Sequence, residues 1–67
     1  MDYPFTKPIH QEILKHLEKG KKPKEIPSLT GENYENIKFY LKEMRALAGA
    51  NTNIEMGIMA GKYGWVP

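Results

Sequence analysis

Thr30-Gly-Glu-Asn-Tyr-Glu-Asn-Ile-Lys-Phe-Tyr-Leu-Lys-Glu-Met-Arg-Ala-Leu-Ala-Gly49 decides how the rest of this chain is read. It has the form of a capped amphipathic helix entered through a tight turn. Asn33 suits the N-cap, because its side-chain oxygen can accept an orphan amide one turn inside. Gly49 suits the stop, since glycine takes the left-handed conformation at little cost. Tyr34, Ile37, Leu41 and Met44 recur at helical spacing, with Tyr40, Leu47 and Ala48 flanking them, and this stripe is expected to be buried. The opposite face carries Glu35, Lys38, Phe39, Lys42 and Arg45, an aromatic ring amid three cations. Such a face is either a solvated surface with one stray phenylalanine or a recognition surface. In the second case the cations meet phosphates and base edges, and Phe39 meets a thymine methyl or a sugar.

Before this helix, residues 1–5 read as a short arm whose Tyr3, Pro4 and Phe5 tuck against the body. Thr6 is expected to cap a first helix, with Pro8 tolerated in its first turn. Ile9, Ile13, Leu14 and Leu17 form its apolar stripe, Gly20 ends it, and Glu12 and His16 make an i, i+4 pair. Residues 21–29 leave two alternatives. Either a helix starts late with Pro27 in its first turn, or the segment is one irregular turn; Ile26 and Leu29 are its expected inward anchors. After Gly49, Thr52 and Glu55 match a capping box in which each satisfies the other's backbone donor. The helix that follows carries Ile54, Ile58, Met59 and Tyr63 and closes at Gly64. Gly57 and Gly61 lie one turn apart, and each costs roughly 1 kcal/mol against alanine in a helix. Two of them suggest a close backbone approach, by the first or third helix or by a second copy of the chain. Trp65 and Val66 are expected to fold back as an apolar lid.

The totals bound the class. Sixty-seven residues make one small domain with a small core. There is no cysteine, so neither disulfides nor thiolate metal sites are available. His10 and His16 face different sides of a helix, so no metal is expected. A net charge of +2 and pI near 8.9 permit nucleic-acid binding without demanding it. No apolar run approaches a membrane span and no secretory layout is present, so a cytoplasmic protein without membrane association is expected.

Four helices in this order, the third long and entered by a turn, resemble the LuxR/GerE-type helix-turn-helix, a DNA-binding module of bacterial regulators that also occurs as a free-standing small protein. The matching residues are Glu12-Ile13-Leu14, Leu17, Gly20, Lys24-Glu25-Ile26, Asn33, Ile37 to Lys42, Met44, Gly49-Ala50-Asn51, Glu55 and Gly64. The spacing of all of them over about sixty positions carries the likeness, since no single one is specific. Pro27, Thr30, Glu32 and Ala48 depart from the family's pattern. The resemblance implies an all-α, four-helix domain over residues 1–67, with the turn and recognition helix at 30–49 and the dimer helix at 52–64. It implies base contacts from Lys38, Phe39 and Lys42, and further DNA contacts from Lys24, Asn36, Tyr40 and Arg45. Dimerisation would run through Ile54, Gly57, Ile58 and Gly61, placing two recognition helices in successive major grooves of a roughly palindromic operator.

The expected function is therefore a sequence-specific, homodimeric transcriptional regulator with double-stranded DNA as partner. The alternative is a protein-interaction module on the same fold that binds another regulator or a polymerase subunit, with Phe39 as anchor. Glu32, Glu35 and Glu43 favour that alternative. A winged helix fails after Gly49, where a capping box stands in place of a β-hairpin. An enzyme is not expected: Ser28 has no base near it, and no phosphate loop or metal cluster exists. Neither a cofactor nor a small-molecule ligand is expected from so short a chain.

Overall fold

The computed structural model describes residues 3–66, and all of their regular structure is helical. Helix α1 spans Pro8–Glu18, a single 3₁₀ turn covers Pro23–Glu25, and α2 spans Ile26–Thr30. Helix α3 spans Tyr34–Ala48 and α4 spans Asn53–Lys62. Met1 and Asp2 of the expected arm lie outside the described residues.

Helix α1 begins with Pro8 at its first position, where a missing N–H costs nothing. Its N-cap is Lys7 rather than Thr6, and no side chain caps it. The helix ends in a paired C-terminal motif: Gly20 N–H bonds to Leu17 O at 3.0 Å and Lys21 N–H to His16 O at 3.0 Å. Gly20 has φ +87°, the left-handed conformation this motif needs. Of the two readings of residues 21–29, the late-starting helix is the one formed, with Pro27 in the first turn of α2.

Phe5, Ile13, Leu14, Ile26, Ile37, Met44, Met56 and Ala60 are all fully buried, and together with Leu41, Ala48 and Trp65 they form one cluster. Phe5 from the arm and Trp65 from beyond α4 meet edge to face at 5.5 Å, so both ends of the chain close over the same core. Helix α4 makes its most extensive contact with α1, while α3 lies against α1, α2 and α4.

Several expected positions differ, each for a geometric reason. Leu29 is exposed: it sits three residues after Ile26, about 60° around a five-residue helix that has room for one inward anchor. On α3 the buried line is Ile37, Leu41, Met44 and Ala48. Leu47, about 100° around from Ala48, is exposed, and so is Tyr34 at the helix's first turn. On α1 the buried His10 joins Ile13 and Leu14, while Ile9 and Leu17 are only half-buried. The ion pairs among the described residues do not include Glu12–His16; the histidine paired with a glutamate there is His10.

On α4 the inward pair is Met56 and Ala60, leaving Ile54 (78% exposed) and Ile58 (66% exposed) on the outer side. Thr52 caps the helix by accepting from Glu55 N–H at 3.0 Å. The expected capping box is only half formed, because Glu55 Oε1 takes the amide of Asn51 rather than that of Thr52. A Cβ at Gly57 would stand 4.0 Å from the Leu17 carbonyl oxygen, an ordinary contact with α1, and at Gly61 it would meet nothing. Within the single chain, then, neither glycine is demanded by crowding.

Candidate nucleic-acid interface

The face of α3 is set by the turn before it. Thr30 Oγ1 donates to Ile26 O at 3.0 Å and accepts from Glu32 N–H at 3.3 Å. Gly31 follows at φ +80°, and three residues turn the chain from α2 into α3. Asn33 Oδ1 then accepts from Asn36 N–H at 2.8 Å and starts the helix. At the other end Gly49 (φ +74°) stops it, with Ala50 N–H bonded to Arg45 O at 3.0 Å.

At about 100° per residue, Lys38, Lys42 and Phe39 fall within about 100° of arc on the side of α3 away from the core. All three are exposed, Phe39 at 61%. Lys42 makes no ion pair among the described residues. Lys38 is 3.1 Å from Glu35 and 5.2 Å from the centre of the Tyr34 ring. That exposed pair holds its lysine weakly, at about 0.3–0.5 kcal/mol, so a phosphate competes for the ammonium easily. The Phe39 ring leans edge-on against Tyr40 at 5.9 Å.

The remaining candidates are distributed around this arc. Lys24 is exposed on the 3₁₀ turn, which packs beside α3. Asn36 is exposed, and its amide donates to Glu32 Oε2 at 3.1 Å, occupying part of its bonding capacity and engaging the Glu32 carboxylate at once. Tyr40 is half-buried, its ring edge-on to His10 at 6.0 Å. Arg45 is half-buried, and its guanidinium donates to the side-chain oxygen of Asn53 at the start of α4. Lys38, Phe39 and Lys42 thus form the open centre, while Tyr40 and Arg45 are partly engaged in holding the helix.

Glu43 points to the α1 side. Its Oε1 accepts from Lys7 Nζ at 3.1 Å and lies 2.6 Å from His10 Nε2. An ionised carboxylate only accepts, so Nε2 carries the proton in this bond; the other ring nitrogen, Nδ1, is buried without a partner. The Lys7 hydrogen bond, more than any other influence, holds the Glu43 carboxyl below its ordinary range; the His10 bond assists and partial burial opposes. A depressed folded value stabilises the fold above the ordinary carboxylate range, and the contribution disappears as pH falls through the lowered value. Glu43→Gln is therefore expected to flatten the decline of melting temperature on acidification from pH 5 toward pH 3. An unchanged acid limb would show that other carboxylates set it.

Ile54, Gly57 and Ile58 border a groove of about 720 Å³ whose other wall is Leu17, Lys21, Lys22 and Pro23. Gly61 lies exposed one turn beyond. Among the described residues no cluster of His, Asp or Glu could hold a metal ion, and no helix is long and apolar enough to cross a membrane. The contributions of His10 and Asn53 are absent from the sequence reading. His10 was detectable in principle, since it lies three and four residues before Ile13 and Leu14. No family model, curated protein or solved structure matches the chain.

Proposed function

We propose that the protein is a sequence-specific DNA-binding transcriptional regulator of the LuxR/GerE helix-turn-helix kind, acting as a homodimer. The observation that carries this reading is the open Lys38–Lys42–Phe39 arc on a helix entered through a three-residue glycine turn. An outward helix of this width fits a major groove, its lysines supply phosphate or guanine contacts, and its ring supplies an apolar contact to thymine. Lys24 adds a cation beside the same helix. The exposed Ile54 and Ile58, with the exposed Gly61 on the same side of the helix, support pairing of α4 with a second copy.

The test is mutational. Lys42→Ala removes a cation without disturbing the core, and each phosphate contact contributes about 0.9 to the logarithmic salt dependence. A dimer loses two such contacts, so the slope is expected to fall by about 2 and operator affinity by roughly tenfold or more. Unchanged affinity in both Lys42→Ala and Lys38→Ala would remove the basis of the DNA reading. The exposure of Phe39, Tyr34 and Leu47 along one helix favours the second reading, a protein-interaction module whose partner covers Phe39. Binding of that kind lacks the steep salt dependence of phosphate contacts.

A further inference from the structure

Helix α3 is gripped by polar side chains on both flanks, and its open face lies between the grips. On one flank Glu43 Oε1 meets His10 Nε2 at 2.6 Å and Lys7 Nζ at 3.1 Å, tying α3 to the first turn of α1. On the other flank Arg45 donates to Asn53, tying α3 to the first residue of α4. Glu43 and Arg45 are two residues apart, so they point about 200° apart around the helix. Lys38, Lys42 and Phe39 all fall in the outer arc between them.

Lys7 alone could hold the Glu43 carboxylate ionised, so the stabilisation of Glu43 does not by itself require a buried histidine. His10 is 1% exposed, and its Nδ1 has no partner, a desolvation cost that an apolar side chain in the same place would avoid. The ring already has apolar company, edge-on to Phe5 at 6.1 Å and to Tyr40 at 6.0 Å. What the polar pair supplies, and a greasy contact does not, is direction. A short charge-assisted bond fixes the angle at which Glu43 leaves the helix. The side chains of α3 reach about 6 Å from its axis, so a rotation of 20° displaces their tips by about 2 Å. That exceeds the tolerance of a hydrogen bond to a base edge.

We propose that His10 and Asn53 are positioning residues: through Glu43 and Arg45 they set the rotation of α3 about its own axis, and so determine which bases Lys38, Phe39 and Lys42 meet. The inference rests on the reading of that arc as a DNA-contacting face.

The test uses His10→Phe, which keeps an aromatic ring in the aromatic pocket, and Asn53→Ala, which frees Arg45 without removing its charge. His10→Gln keeps a side-chain N–H donor and serves as the rescue. The probes are the duplex fragment that wild-type protein enriches from a random library and a random duplex of equal length. Both disrupting variants are expected to bind the random duplex within about twofold of wild type, because their phosphate-contacting charges are intact. Affinity for the selected fragment is expected to fall at least tenfold, more in the double variant, and His10→Gln is expected to recover much of it. Equal losses on both duplexes, or none on the selected one, overturn the proposal.

Residual dipolar couplings of the α3 amides, measured without DNA, separate this inference from the reading beneath it. Couplings unchanged between wild type and the double variant overturn the positioning role whatever the DNA result. Changed couplings, in a wild-type protein that selects no fragment, support the grips and overturn only the DNA reading.

Discussion

Leu41→Ala is expected to lower the melting temperature by more than about 10 °C, leaving a chain that is only marginally folded. Leu41 is 2% exposed and sits mid-way along the buried line of α3, between Ile37 and Met44, where α3 faces α1, α2 and α4. Removing its three outer carbons leaves a void that the neighbouring helices cannot close without moving, which costs about 2–5 kcal/mol. A domain of this size has only about 3–10 kcal/mol in total, and this one has no disulfide to fall back on. Leu47→Ala is the control. Leu47 is 49% exposed on the same helix, so its truncation should change stability by no more than about 0.5 kcal/mol. Thermal melts followed by circular dichroism compare the two directly. Similar shifts in both variants would mean that α3 buries a different face, and the arc assigned to DNA would move with it.

Ile58→Asp, alone and with Ile54→Asp, is expected to produce the largest functional loss while leaving the monomer folded. Both side chains point away from Met56 and Ala60, and both are largely exposed in the single chain, so a charge there disturbs no intramolecular packing. In a two-fold pairing of α4 helices the same position meets its own copy, placing like charges together in an apolar seam. Joining two half-site readers typically gains on the order of 100-fold or more in apparent affinity, and the variant forfeits that gain. Light scattering should report a monomer, and the full operator should be bound no better than a single half-site. A variant that stays dimeric would place the self-association surface elsewhere, and a variant that unfolds would contradict the outward placement of both isoleucines.

The helices themselves could be read from the sequence because their ends are written in local chemistry. Asn33, Gly31 and Gly49 around α3, and Thr52 before α4, satisfy or terminate backbone hydrogen bonding within a few residues, and each does so in the structure. The direction of burial was less legible where two stripes compete. Helix α4 carries Ile54 and Ile58 four apart and Met56 and Ala60 four apart, and hydrophobicity favours the first pair. The structure buries the second, as Met56 and Ala60 turn inward where α4 packs on α1.

Polar contacts between helices were the least legible. His10 and Glu43 are thirty-three positions apart, and nothing local marks either as the other's partner. In sequence Glu43 reads as one of the acidic residues that favour a protein partner and Arg45 as a DNA contact, and neither reading points to Lys7, His10 or Asn53. The lysines and Phe39 of the open arc, by contrast, follow from periodicity alone once the buried line through Ile37 and Leu41 is fixed.

Whether the protein is a dimeric DNA-binding regulator is decided by binding of the purified protein to random and genomic duplex fragments across a range of salt, with its mass followed over the same concentrations. The expected result is enrichment of a short inverted repeat by a dimer, with the logarithm of affinity falling steeply and linearly in the logarithm of salt concentration. A folded, helical protein that binds no duplex even at low salt would contradict it.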